Sequence, residues 1–398
     1  LTGTGFGYIY CYPSNLFNGF DMEVNDVLLE IIALKRLKKK GMGEKRLFDL
    51  LSSFSKSNYD SLYAFIREKW NREPDDKGDR ASYFSDEELK QYFNILSQHS
   101  DIRQYFKGLD EKNIRICTLL DEDFPAIFLR ERLLPVFYYI GDISLLNGEN
   151  VAVVGTREPT QYGIKVCERL IGFLGGRFNI VSGGAIGIDS VAHRAALKYR
   201  AKTIVVFGSS IDLPYPAVNK GLFEDIIQNG GLIISPYGPD EEFNEYSFVN
   251  RNKYIVEISR CVVVVEGGEK SGARITGEYA LSKGKPVFAV PGPITSEKSF
   301  CPNLLIHKGA KILYSEKVLG EFLNLSSCDV SEVQKIPDLT EEEMQVLSVL
   351  QGNNTVHIDD IAFITNYKID ILSGILLSLE MKGAVEELPG KLYRKRSF

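Results

Sequence analysis

Residues Val181–His193 read VSGGAIGIDSVAH. An apolar run from Asn179 to Val181 stops at Ser182, two adjacent glycines follow, a third comes at Gly187, and a helix-compatible segment opens with Asp189 and Ser190. The pattern is strand, glycine turn, helix start. Glycine admits positive φ and close approach of a ligand to the main chain, while the unpaired N–H groups of a helix N-terminus favour an anion such as phosphate. A phosphate cradle is one reading; an ordinary βα turn of a parallel sheet is the other.

The same alternation extends outward on both sides. Short β-branched runs, VAVVG from Val151, NIVSG from Asn179, KTIVVFG from Lys202, GLIIS from Gly231, CVVVVEG from Cys261, PVFAVPG from Pro286 and KILYS from Lys311, alternate with helical segments. Near-continuous apolar strands with helical crossovers predict a mostly parallel sheet covered on both faces, an α/β, Rossmann-like, doubly wound domain. Ligands of such sheets bind at the carboxyl ends of the strands. There the sequence places GTR (Gly155–Arg157), the Val181–His193 stretch and EGGEKSGARITGE from Glu266, and before the fifth strand, entering a helix, SFVNRNK with Arg251, Asn252 and Lys253. From Val151 to Leu325, Lys+Arg number 20 and Asp+Glu 17, within a chain of net charge −6. A local anion site is therefore expected in an otherwise acidic protein.

A dinucleotide cofactor is not favoured. The glycines read G-G-x-x-G after the second strand, and the next strand ends in GSS (Gly208–Ser210) with no carboxylate for a ribose. Asp189 and His193 stand four apart on one helix face; such a pair suits a catalytic role or, more commonly, a cap that fixes the turn.

The 398 residues imply two or three domains. The six cysteines have no C-x-x-C pair and the four histidines are dispersed, so neither a metal site nor a disulfide framework is expected. No apolar run approaches the ~20 residues of a spanning helix. Residues 1–21 lack lysine, arginine and an A-x-A-like site, so a secretory signal is not expected; they are read as a disordered extension or a product of gene-start assignment, with Met22 a natural start. From Met22 to about residue 110, apolar spacings of three and four (Val27, Leu28, Ile31, Leu34; Leu47, Leu50, Leu51, Phe54) predict a small helical domain of SAM or helix-hairpin-helix type. Its Gly41-Met42-Gly43, inside a lysine- and arginine-rich run, reads either as a turn aimed at DNA phosphate or as an interhelical turn with a solvated charged face. Between Ile114 and Asn150 a connector holds one strand candidate, Val136–Ile140.

GTR…QYG, SGGAIGID…AH…AL, TIVVFGSSIDLPYP, SFVNRNK, SGARITGEYA, VFAVPG and NLLIHKGA, in this order, resemble the core of the DNA-processing protein A (DprA/Smf) family, over Ile114–Phe322. The resemblance implies a cytoplasmic, homodimeric, non-enzymatic protein without cofactor. Such a protein binds single-stranded DNA and loads RecA recombinase onto it in natural transformation. Carried over by motif, the DNA pocket comprises Gly155, Thr156, Arg157, Ser182, Gly183, Gly184, Arg251, Asn252, Lys253, Ser271, Gly272 and Thr276. The chain departs from the family at Ile186, where arginine or lysine is usual, at Val249 for proline, and at Lys253 for arginine. Loss of one cation would lower the salt slope of binding by about one, unless Arg274 or Lys270 substitutes.

After a linker at 326–336, residues 337–398 resemble the family's winged-helix domain, with a third helix at Ile369–Met381 and a wing ending LYRKRSF. From Pro337 onward Asp+Glu number 10 and Lys+Arg 6, which favours a protein-contact or stability role over DNA reading. The competing function is a phosphoribohydrolase-type, nucleotide-processing enzyme on a related scaffold, for which Glu278 or Glu266 would supply the carboxylate.

Overall fold

A computed structural model describes residues 26–36, 44–59, 61–66, 68, 84, 86–97, 99–239, 241–325, 340–350, 355–382 and 384–395. The Gly41-Met42-Gly43 stretch expected as a helix–hairpin–helix or interhelical turn, residues 1–21 and the expected linker at 326–336 lie outside these. Two units result, Leu1–Ser315 and Glu316–Phe398.

The mixed α/β expectation holds. A nine-stranded sheet is built from β1 (Arg115–Thr118), β2 (Val136–Gly141), β3 (Asn150–Val154), β4 (Asn179–Ser182), β5 (Thr203–Val206), β6 (Leu232–Ser235), β7 (Cys261–Val264), β8 (Val287–Ala289) and β9 (Lys311–Ile312), in the order β1-β2-β6-β5-β4-β3-β7-β8-β9. All seven strands expected from Val151 onward are present and mutually parallel. β5, β6 and β7 are buried at every position because helices cover both faces, which is why their sequences are unbroken apolar runs.

The lead-in differs from the single strand expected. β1 pairs antiparallel with β2, which pairs antiparallel with β6. β1 escaped the sequence reading because RICT begins with exposed Arg115 and only its last two residues are buried. An edge strand of four residues carries too little alternation to register.

The chain runs outward from β3 through β4 and β5 to β6, then returns to lay β7 on the other side of β3. The topological switch point therefore lies between β3 and β7, and the loops that follow β3, β4 and β7 converge on it.

The N-terminal helices, among them Asp26–Lys35, Glu44–Phe54 and His99–Glu111, share their core with the sheet. Leu29, Ile32, Phe106 and Leu109 pack with Tyr138, Val205 and Ile233, and Val136 completes the cluster of Leu47, Leu50, Leu51 and Phe54. Ion pairs and hydrogen bonds pin the junction: Lys35 to Glu241 at 2.9 Å, Arg132 to Asp49, and Tyr254 Oη to Glu44.

The C-terminal unit has the winged-helix order. Helices Glu341–Val349, Ile358–Thr365 and Ile369–Met381 pack with the three-stranded sheet of β10 (Val356–His357), β11 (Val385–Leu388) and β12 (Leu392–Lys395). Thr340 and Glu343 form a capping box, and Glu343 also takes Lys382 Nζ at 2.7 Å and Ser378 Oγ at 2.7 Å. These contacts hold its carboxyl down to about 2, Lys382 contributing most. Among the described residues no single helix is long and apolar enough to cross a membrane.

Candidate nucleic-acid interface

The cradle is assembled from loops 28 residues apart in sequence and more. Gly187 has φ +84°, and a Cβ there would lie 2.3 Å from the carbonyl oxygen of Thr156, so only glycine lets the two loops touch. Ile188 N–H then donates to that same oxygen at 3.1 Å. Gly155 packs against Ile188, where a Cβ would come within 2.6 Å of its side chain. The Gly155–Arg157 and Val181–His193 motifs are thereby one surface.

Gly183 is held from two directions. Asp189 Oδ2 accepts its N–H at 3.2 Å and that of Ala185 at 3.4 Å. Arg251 Nη1, from the helix Glu245–Glu257, donates to the Gly183 carbonyl and to that of Val206 at 2.6 Å. Asn219, 35 residues further along, donates to the Gly184 carbonyl at 3.0 Å. Nothing local in the sequence announces Asn219, whose role is visible only once the loop after β5 folds back.

These bonds leave a set of open donors. Among the described residues no acceptor meets the N–H of Gly184, Ile186 or Gly187. Arg157 beside them is exposed and without a carboxylate partner among the described residues, and Ile186 is 42 % exposed. The surface so formed offers backbone N–H groups and the exposed cation Arg157, which suits an anion of any sequence context.

Other expected residues serve the scaffold. Arg251 is only 7 % exposed; burial lowers its pKa to about 10, against the charge of Asp189, and the charge of Arg157 lowers it further. Burial likewise raises the Asp189 carboxyl, opposed by Arg251 and by the backbone donors. The Ser182 hydroxyl is spent on the Val153 carbonyl at 2.7 Å, and Thr156 Oγ1 accepts Glu158 N–H at 3.2 Å.

The residues carried over by motif fall into two groups. Lys253 lies two positions beyond Arg251, about 200° round the helix, on the side of Glu257 rather than Gly183. Glu257 accepts from Tyr279 Oη at 2.9 Å, so that side packs against the helix Gly272–Ser282. Lys253 and Asn252 are half-buried, with no partner among the described residues. Ser271, Gly272 and Thr276 follow β7, across the switch point from β4. Ser271 caps the helix through Arg274 N–H and the buried Thr276 hydroxyl bonds Gly272 O at 3.0 Å, so only Gly272 faces open space.

Asp189 and His193 do not act as a pair. Thr203 Oγ1 gives its hydrogen to the Ile180 carbonyl at 2.7 Å and so must accept from His193 Nδ1, also at 2.7 Å. Burial, with Arg251 adding, lowers the imidazole pKa to about 3; it is a neutral core group. Glu266 is buried and caps the helix Gln161–Leu174 by accepting Thr160 N–H at 2.9 Å and its hydroxyl at 2.6 Å. Glu278 is paired with Arg274 at 3.0 Å and Lys308 at 2.6 Å. Neither carboxylate is placed as a free base, and Arg274 is engaged rather than available to replace a missing cation.

A family model described as DNA recombination-mediator protein A matches residues 115–324, and another described as DprA winged helix domain matches residues 331–391. Protein Smf of Synechocystis sp. is 32% identical over 344 residues, 76% of this chain and 86% of its own length. DNA processing protein DprA of Streptococcus pneumoniae is 41% identical over 236 residues, 59% of this chain and 81% of its own. The X-ray structure of DNA processing protein A from Streptococcus pneumoniae is similar with a TM-score of 0.62 at 31% identity, covering 74% of this chain and 97% of that one.

Proposed function

This chain belongs to the DNA recombination-mediator protein A family, and on that premise we propose that it binds single-stranded DNA by its backbone and delivers the strand to RecA recombinase during DNA uptake. The reading includes a cytoplasmic setting, a homodimer and no catalytic step of its own. The observation that carries it is the clamped glycine turn, where the N–H groups of Ile186 and Gly187 have no acceptor among the described residues and lie beside exposed Arg157, which has no carboxylate partner among them.

Phosphate is held here by groups that do not distinguish bases, so binding tolerates any sequence and weakens steeply with salt. Lys253 and Gly272, across the switch point, extend the same anion-attracting edge. The buried residues Arg251, Ser182 and Thr276 support the surface without touching the strand.

Titration of labelled oligo-dT by fluorescence anisotropy at increasing salt tests this. Binding at low salt, weakened when Arg157→Ala and Lys253→Ala are combined, is expected. No binding at low salt, or equal binding by that double variant, overturns it. Sizing chromatography with RecA, with and without oligo-dT, tests the delivery step; absence of a RecA-containing complex in both conditions removes it.

A further inference from the structure

A second recess lies farther along the same edge. It is an open cleft of about 400 Å³ between the helical segment, which supplies Arg36, Gln104, Tyr105 and Lys112, and the loops after β5 and β6, which supply Asp212 and Pro239. The Arg36 guanidinium lies over the Tyr105 ring at 4.3 Å and has no carboxylate partner among the described residues. Lys112 Nζ meets Asp212 at 2.8 Å and is about half exposed.

The wall is built from inside. Tyr105 Oη bonds Tyr138 Oη at 3.0 Å, which donates to Glu241 Oε1 at 3.0 Å; Lys35, partly buried, pairs with that carboxylate at 2.9 Å and donates to the Pro236 carbonyl at 2.9 Å. This network fixes the ring on which Arg36 rests. Gly108, on the same helix, leaves open space where a side chain would stand.

One loop joins this cleft to the cradle. Its far end, Asn219, bonds the Gly184 carbonyl; its near end, Asp212, lines the cleft. β6 lies two strands from β4, so the cleft and the cradle open on the same carboxyl edge of the sheet. Between them Tyr215, half exposed, packs on Phe248 with ring centroids 5.4 Å apart.

We propose that this cleft is a nucleotide site, in which a base stacks on the Arg36–Tyr105 pair and a phosphate meets Lys112. The inference rests on the DNA-binding reading of the cradle when the nucleotide belongs to a bound strand, and stands alone when it is a free nucleotide. Planar cations and aromatic faces accept any base, and Lys112 neutralises phosphate at the cost of sharing Asp212.

The test uses the full chain with two variants, Arg36→Ala, which removes the stacked cation, and Gly108→Phe, which fills the cleft without altering charge. Each is titrated with oligo-dT of about 5 and about 20 nucleotides and with thymidine monophosphate. The expected result is unchanged affinity for the short oligonucleotide and about tenfold weaker binding of the long one, which lies within the range for loss of one stacked base. Thymidine monophosphate binding to the wild type and not to Gly108→Phe assigns the site to a free nucleotide; an effect on the long oligonucleotide alone assigns it to the strand. Wild-type affinity of both variants for the long oligonucleotide, with no binding of thymidine monophosphate, overturns the proposal. Failure of the wild type to bind the short oligonucleotide counts against the cradle instead, and the monophosphate titration still decides the cleft.

Discussion

Arg251 and Asp189 hold Gly183 from its two ends: the guanidinium donates to the carbonyl, and the carboxylate accepts the N–H. The two charges are buried, and the residue between them has no side chain to hinder either. A Cβ on Gly183 would lie 2.0 Å from Arg251 Nη1.

Gly183→Ala is therefore expected to expel the guanidinium from its two carbonyls. Thermal unfolding should show a loss of roughly 1–3 kcal/mol, as for other overpacked interiors, together with weakened oligo-dT binding. An alanine variant as stable as the wild type would mean the clamp is slack.

Arg251 and Arg157 should separate in their effects. Truncating a buried, hydrogen-bonded charge costs about 3–5 kcal/mol because its partners are left unpaired, so Arg251→Ala should lower the denaturation midpoint strongly. Arg157→Ala, at an exposed site, should change stability by no more than about 0.5 kcal/mol while reducing the salt slope of binding by about one. Denaturant titration beside the binding series measures both.

Ile186 is 42 % exposed on the open turn, with its N–H unpaired among the described residues. Placing a cation there should add a phosphate contact. Ile186→Arg is expected to tighten oligo-dT binding and steepen the salt slope by about one; an unchanged slope would show that this side chain does not face the strand.

His193 should remain neutral far into acid. Its folded pKa, lowered to about 3 from 6.5, means the unfolded chain takes up a proton first as pH falls. The sign follows: stability from this residue is complete above pH 6.5 and is lost as pH falls toward 3, at about 1.4 kcal/mol per pH unit. NMR of the ring protons should show His193 flat from pH 8 to about 4, with the hydrogen on Nδ1.

Glu343 behaves with the same sign in the C-terminal unit. Held down to about 2 by Lys382 and Ser378, its carboxylate contributes fully above its ordinary 4.5 and loses that contribution as pH falls toward 2. Glu343→Gln should lower the unfolding midpoint of this unit at neutral pH and make little difference near pH 2, which calorimetry at the two pH values reads directly.

The alternation of apolar runs and helices determined the parallel sheet by itself, because a strand buried on both faces has to be apolar throughout. Chain order likewise located the strand ends where Gly155–Arg157 and Ser182–Gly184 lie. The winged helix was legible too, from Ile369–Met381 and the LYRK strand. The sequence did not separate residues that face a strand of DNA from those that hold the turn. Arg157, after β3, and Arg251, within the helix Glu245–Glu257, are the same residue type, yet one is exposed and the other bonds two carbonyls inside the protein. That difference depends on which loop closes over which, as does the placing of Asn219 beneath Gly184 and of Lys253 round the helix from Arg251. Only the tertiary structure decides it, because burial is set by contacts between segments far apart in the chain, and no local pattern of residues encodes them.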